Sequence, residues 1–316
     1  MRAVDHTFAD IELPKPSPTG HDLLVKVEAV SVNPVDYKQR KQATASRILG
    51  WDAAGTVEAT GKEVTLFKPG DTVYYAGDVT RPGCNSEFHL VDERIVGRKP
   101  QQLDFAQAAA MPLTSITAWE AFFDRMKVQS GKRILIISGA GGVGSIGIQL
   151  AKQAGLHVIA TASRPDSVAW VTTLGADDVV NHRGSLKAQI KNPVDYIANF
   201  SGELDAYWEA MAELVAPQGA LVAIVANAKP LAMDAVRMKS ATICWELMFT
   251  RPRYKTPDMI EQHRLLNQVA DWLDAGKLRC TLKQTLSPIN GANLRTAHER
   301  LESGTMIGKL VLKGWS

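Results

Sequence analysis

A chain of 316 residues, 45% hydrophobic and 22% charged, has the make-up of a soluble globular protein with room for two domains. Its net charge of +3 is too small for a nucleic-acid-binding surface, and no basic run interleaved with aromatics appears. No segment approaches the apolar length that spans a bilayer, and Met1–His6 lacks the apolar core of a signal peptide, so no membrane contact and a cytoplasmic location are expected.

In chain order, short β-rich pieces come first: Leu23–Val30, Gly55–Thr60, Asp71–Tyr75 and Ser86–Val91, separated by Gly, Pro and Asp turns. They predict a mostly β lobe. A helical stretch from Ala106 to Phe123, interrupted by Pro112, leads on to an apolar run that starts at Arg133, followed by glycines and a helix that continues through Gln149 to Gly155. Strand patterns at His157–Ala162, Asp178–Asn181, Val194–Phe200 and Gly219–Ala226 then alternate with helical ones at Ser167–Leu174, Ser185–Lys191 and Leu204–Val215, Gly175 closing the first of these. Alternation of this kind predicts a parallel sheet with helices on both faces. The chain ends with a strand-like Ala241–Trp245, a helix over Asp258–Asp274, and strand–helix–strand pieces closing at Lys309–Lys313 that return to the first lobe. There are no repeats or low-complexity tracts. Cys84, Cys244 and Cys280 lie far apart, which predicts reduced thiols.

The most informative stretch is Ser138-Gly-Ala-Gly-Gly-Val-Gly144, where Gly139, Gly141 and Gly144 stand at G-x-G-x-x-G spacing between a strand and a helix. Gly139 would permit the tight turn, Gly141 would let the backbone approach a pyrophosphate, and Gly144 would let the helix lie close on the strand. Gly142 and Val143 complete the loop, whose helix opens with unpaired N–H groups and a positive dipole end. Alone the motif is weak; the β-α alternation around it favours a dinucleotide site over simple packing. The end of the next strand reads Thr161-Ala-Ser163-Arg164 with no carboxylate, so Ser163 and Arg164 suit a 2′-phosphate and NADPH is expected over NADH. Arg164 as a solvated loop cation is the plainer alternative. Asn181, Phe200 and Ser201 stand at strand ends, the ligand edge of such sheets, with Ile224 on the nicotinamide side and His182 as a rim histidine on the adenosine side.

Six segments carry a family resemblance: Val32-Asn-Pro-Val-Asp36, Gly50-Trp-Asp-Ala-Ala-Gly55, Phe67-Lys-Pro-Gly-Asp-Thr-Val73, Pro112-Leu-Thr-Ser-Ile-Thr-Ala-Trp119, the glycine loop and Ile307-Gly-Lys-Leu-Val-Leu312. In this order the chain resembles the zinc-free quinone oxidoreductase branch of the medium-chain dehydrogenase/reductase superfamily, over nearly its whole length. Trp245–Arg251 and Glu87–Glu93 look like a bacterial subgroup labelled zinc-type alcohol dehydrogenase-like proteins. The resemblance implies an α/β fold in which a doubly wound Rossmann domain (119–250) is flanked by two parts (1–118 and 251–316) of a mostly β GroES-like catalytic domain. The first strand looks abbreviated beside family members.

It also implies hydride transfer from NADPH to a quinone or α,β-unsaturated carbonyl, with Asn33 beside the nicotinamide and Thr114 and Thr117 near its phosphate or nicotinamide end. Packing and local back-bonding are an equal reading for the threonines. A homodimer joined through Ala241–Leu247 follows from the resemblance, Trp245 as a core residue being the alternative. Zinc-dependent relatives carry a Cys where this chain has Asn33 and Gly-His-Glu where it has Gly50-Trp51-Asp52, so no metal is expected. Cys84 and His89 read as a core thiol and a strand histidine. For a proton donor, Tyr37 and Lys38 are weak candidates, because the tyrosine comes one position earlier than in relatives. Asp36 and Asp52 are given turn or hydrogen-bonding roles, and Lys309 reads as a strand-edge charge. Two alternatives stay open: a zinc-dependent alcohol dehydrogenase, and an NADPH-binding regulatory protein without useful turnover.

Overall fold

In the computed structural model, which describes residues 1–315, two short strands, β1 (Arg2–Val4) and β2 (Asp10–Glu12), precede the ten-residue β3 (Asp22–Ser31). Then come β4 (Ala53–Thr60), β5 (Thr72–Tyr75), β6 (Phe88–Asp92) and β7 (Val96–Arg98). A second set follows: β8 (Arg133–Ile137), β9 (His157–Thr161), β10 (Asp178–Val180), β11 (Val194–Asn199), β12 (Val215–Ala223) and β13 (Thr242–Trp245). Strands β14 (Leu282–Leu286) and β15 (Lys309–Lys313) close the order. The helices that matter below are α1 (Pro34–Gln42), α2 (Phe105–Ala109), α3 (Pro112–Trp119), α4 (Gly142–Gln153) and α5 (Pro165–Thr173). The chain forms two compact units, Met1–Ile116 together with the chain from Phe249 on, and Thr117–Met248.

In the first unit β3 is the spine, pairing antiparallel with β4, β6 and β15. The seven-stranded sheet runs β14-β15-β3-β4-β5-β7, with β6 also paired to β3, so the C-terminal pieces do return to the first lobe. Leu23, Val25 and Val27 point from β3 into a core with Val57, Val73, Val91, Leu310 and Leu312, the period-two burial expected of a half-covered strand. Strands β1 and β2 make a separate two-stranded sheet. The helix Glu261–Asp274 is bound to this unit by the buried Tyr74 hydroxyl, which donates to the Leu266 carbonyl at 2.6 Å.

The second unit holds a six-stranded sheet in the order β10-β9-β8-β11-β12-β13, every pair parallel. Strand order reverses between β8 and β11, the point at which doubly wound sheets open a ligand crevice. Leu135, Ile137, Ile159, Ile197 and Leu221 fill its core, and the nearly continuous apolar reading of β8 fits a strand covered on both faces.

Three elements depart from expectation. The helical stretch from Ala106 is broken into α2, α3 and a π-helical turn at Glu120–Arg125. That turn is tied to the residue after β13 by Arg125 Nε and Glu246 Oε2, 3.2 Å apart. The helix expected over Leu204–Val215 begins only at Trp208, and β12 starts at Val215, its pairing with β11 jumping from Val215 to Ala220 as β11 goes from Val194 to Tyr196. Among the described residues no helix is long and apolar enough to cross a membrane. Replacing Tyr74 by Phe removes one buried donor from a carbonyl already within a helix. Urea unfolding of Tyr74→Phe is expected to show a loss of about 1 kcal/mol.

Candidate functional site

The glycine turn sits at the C-terminal end of β8. The left-handed residue there is Ser138 (φ 66°), not Gly139 as the spacing suggested. Gly139 is required by close approach: a Cβ there would lie 2.9 Å from the Ala160 Cβ. A Cβ on Gly144 would run into the Ser138 carbonyl, so α4 can lie against the turn only without one. Ser138 N–H donates to Thr161 Oγ1 at 2.9 Å and Gly139 N–H to the Thr161 carbonyl at 3.2 Å, fixing the turn to β9.

Gly141 is the N-cap of α4, and no side chain caps that end. The N–H groups of Gly142, Val143 and Gly144 therefore have no acceptor within the helix and face outward with the positive end of its dipole. A phosphate fits such a cradle.

Ser163, Arg164, Asn181, Phe200, Ser201 and Ile224 lie along the same edge of the sheet, each just past the end of a strand. Ser163 and Arg164 follow β9, half-buried, with Arg164 as the N-cap of α5 and its Nε 3.5 Å from the exposed Asp166 carboxylate. Partial desolvation, and the charges of Arg183 and Arg164 that make this corner basic, hold the His182 imidazole below its usual range. Asn181 is exposed, and its side chain is used locally, accepting from the Arg183 N–H at 2.9 Å. Phe200 is buried against Phe122, ring centroids 5.8 Å apart, and fills the space beside Gly147. Ser201 donates to Asn199 Oδ1 at 2.6 Å, a turn contact, and Ile224 is half-buried just beyond β12. Thr114 is buried and its hydroxyl donates to the Met111 carbonyl at 3.2 Å, the back-bonding reading. Thr117 is buried one turn along α3.

In the first unit the structure brings together residues that the sequence left apart. Lys309 is not a strand-edge charge: it is 3% exposed. Its ammonium donates to the Val32 carbonyl (2.9 Å), Asn33 Oδ1 (2.5 Å) and Asp52 Oδ2 (3.1 Å), three acceptors for three N–H groups. Asp52, fully buried, therefore has an ion-pair partner after all, and it also accepts from Asn33 Nδ2 (2.8 Å) and from the Leu113 N–H (2.8 Å) at the start of α3. Burial pushes the Asp52 carboxyl up, while Lys309 and these donors oppose that push. Asp36 lies behind Asn33 and takes its backbone N–H at 2.5 Å. Burial raises the Asp36 carboxyl to about 7.

Tyr37 and Lys38 are not hydrogen-bonded to this network. The Tyr37 ring is half-buried with the Lys41 ammonium 5.2 Å from its centroid, and Lys38 is exposed. A signal for Lys309 was present: it opens Leu310-Val311-Leu312, a run apolar enough for a strand covered on both faces, where a lysine needs an acid.

These donors do not suit zinc. An ammonium sits against Asn33 and Asp52, and the Trp51 indole donates to the Asp78 carbonyl at 3.2 Å. Among the described residues no group of three or more His, Cys, Asp or Glu is arranged to hold a metal ion. Cys84 is a buried thiol pushed up by burial. Burial holds the His89 ring down to about 4; its Nε2 is 3.0 Å from the Pro82 carbonyl and its Nδ1 3.1 Å from the Tyr75 hydroxyl. With Nε2 donating, Nδ1 accepts from the tyrosine.

A buried carboxyl raised in the folded state contributes stability that is full below about 4, the unfolded value, and is lost as pH rises through about 7. Asp36→Asn keeps an acceptor for the Asn33 N–H and cannot ionise. In urea titrations it is expected to be more stable than the parent at pH 8, and the difference should vanish at pH 4.

The alcohol dehydrogenase GroES-like domain family matches residues 19–101, and the zinc-binding dehydrogenase family matches 174–312. A zinc-type alcohol dehydrogenase-like protein of Staphylococcus aureus (strain COL) is 45% identical over 96% of this chain and 94% of its own. Two solved structures are similar throughout. One, from Rhizobium etli CFN 42 and assigned as a zinc-dependent alcohol dehydrogenase, has a TM-score of 0.96 at 50% identity, covering 100% of this chain and 98% of that one. The quinone oxidoreductase of Coxiella burnetii has a TM-score of 0.82 at 27% identity, covering 99% of each chain. With both families, a close relative and the full-length fold in agreement, the chain belongs to the medium-chain dehydrogenase/reductase superfamily, in its quinone oxidoreductase-like branch.

Proposed function

We propose that this protein is an oxidoreductase that passes a hydride from NADPH to a quinone or an α,β-unsaturated carbonyl, with no metal ion taking part. The observation that carries the reading is the open N-terminus of α4 above a turn whose glycines leave no room for side chains. That arrangement suits a pyrophosphate, and Arg164 with Ser163 at the end of β9 suits the 2′-phosphate of NADPH. When bound, the nicotinamide supplies the hydride. The chain's residues hold, orient and exclude water. Asn33 accepts from the nicotinamide carboxamide, and Thr117 assists the cofactor. A quinone, once reduced, takes its protons from water, so neither Tyr37 nor Lys38 is needed as a donor. The ammonium bound by Asn33 and Asp52 supports the metal-free reading, and similarity to the Coxiella quinone oxidoreductase supports the acceptor class.

Absorbance at 340 nm with NADPH and NADH, against a panel of quinones and enones, tests the reading. Oxidation of NADPH by at least one acceptor, unchanged by a chelator, is expected. Arg164→Ala should raise KM for NADPH by about tenfold or more, the worth of a charged hydrogen bond, with little change for NADH. Activity lost with stoichiometric zinc would favour an alcohol dehydrogenase. Tight NADPH binding without turnover on any acceptor would favour a regulatory protein.

The protein also works as a homodimer in this proposal, through β13. That strand is the edge of its sheet, and Trp245 and Leu247 are each 49% exposed beside it. Unpaired edges of this kind are usually covered. Light scattering is expected to give a dimer for the parent and a monomer for Trp245→Lys.

A further inference from the structure

Strands β9 and β10 leave their sheet side by side. Their last paired residues are Thr161 and Val180, and one position further the Ala162 N–H still donates to the Val180 carbonyl at 3.0 Å. Ser163-Arg164 and His182-Arg183 therefore emerge into one corner of the second unit. The second pair stands on a braced turn. Asn181 closes it, its carbonyl accepting from the Gly184 N–H at 3.1 Å and its Oδ1 from the Arg183 N–H at 2.9 Å. The Gln189 amide accepts from the Asn181 N–H and donates to the Asn181 carbonyl. The side chains of His182 and Arg183 take no part in this bracing. Both residues are exposed, and among the described residues neither the imidazole nor the guanidinium has a hydrogen-bond or ion-pair partner.

The charges that act on His182 are Arg183 in its own loop and Arg164 at the start of α5, whose Nε is 3.5 Å from the exposed Asp166. Lys187, on the helix Leu186–Gln189, is turned to Glu213. Partial burial and the two guanidinium charges keep the imidazole largely neutral at pH 7. A phosphate placed among these groups reverses the balance. It brings nearly two negative charges and three acceptor oxygens, which favour the protonated ring and use its second N–H. The arginines hold their protons at every working pH, so of the three cationic side chains His182 alone can respond.

We propose that Arg183 and His182 complete a phosphate site with Ser163 and Arg164, and that the 2′-phosphate of the cofactor, on entering it, draws a proton from water onto His182. This rests on the proposed choice of NADPH and adds to it a selectivity linked to protons. NADH brings a ribose hydroxyl in place of the phosphate and leaves the ring neutral. Discrimination between the two nucleotides therefore sharpens as pH falls.

Dissociation constants for NADPH and NADH, measured by protein fluorescence at pH 6 and pH 8, read this without turnover. In the parent the preference for NADPH is expected to be at least about threefold greater at pH 6 than at pH 8. His182→Gln keeps a donor but cannot titrate. Its preference should be equal at the two values or up to about twofold smaller at pH 6, because the phosphate itself takes a proton there. Calorimetry of NADPH binding at pH 7, in two buffers of different ionisation enthalpy, should show a proton uptake in the parent that His182→Gln lacks. Arg183→Gln should cut the preference about tenfold at either pH, the worth of a charged hydrogen bond, with NADH affinity unchanged. Both positions are exposed, and NADH binding reports that each variant is folded. A parent whose preference does not rise at pH 6 overturns the proposal. So does a His182→Gln protein with the parent's pH profile, or an Arg183→Gln protein with undiminished preference. A parent that binds NADPH no better than NADH at either pH sinks the cofactor choice and this inference together. A preference that Arg164→Ala removes and His182→Gln leaves unchanged at both pH values sinks the inference alone.

Discussion

One buried ammonium organises the first unit. Lys309 brings a full charge into a place with almost no water, an arrangement tolerable only because every proton on it has an acceptor. Those acceptors are not incidental. They belong to the end of β3, the cap of α1 and the start of β4, and through Asp52 the contact extends to the first turn of α3. The start of β15, the Val32–Asn33 corner, Asp52 and the first turn of α3, four stretches far apart in sequence, are thereby held together. The second carboxyl nearby, Asp36, has no such cation of its own, and burial accordingly favours its neutral form.

The second unit rests on a different economy of space. Its sheet is parallel throughout, so every strand ends on the same edge, and the residues that follow β8, β9, β10, β11 and β12 gather there without any long-range pairing. The glycine turn differs from its neighbours only in how closely backbone packs on backbone. Ala160 leaves no room at Gly139, and Ser138 none at Gly144. What remains is a helix end that no side chain caps, beside a basic corner at Arg164 and Arg183.

Much of this was readable from the residues, and the division follows the range of the interactions. The β-α alternation, the two kinds of lobe and the glycine loop are local patterns with a period or a spacing, and they were found where expected. Individual roles inside the loop were less so, because a left-handed serine followed by a crowded glycine has the same letters as a left-handed glycine. The break of the Ala106–Phe123 stretch into three helical pieces was only half visible, since Pro112 marks one boundary and nothing marks the π-turn. The strand expected to open at Gly219 had already begun at Val215, its pairing with β11 jumping from Val215 to Ala220. Lys309 was misread outright. Its partners are 276 and 257 residues away, and no spacing rule spans that distance. Asp52 looked partnerless for the same reason.

That separation has a bearing on how the molecule comes into being. The whole of Thr117–Met248 is synthesised between Asn33 and Lys309, and it is continuous in sequence, able to complete its sheet while the ribosome is still translating. The first lobe has no such freedom. Until β15 emerges to lie beside β3, its sheet lacks two strands and the buried Asp52 lacks its cation. The inserted unit can thus form before the chain ends, whereas the first needs its last strand to pair Asp52.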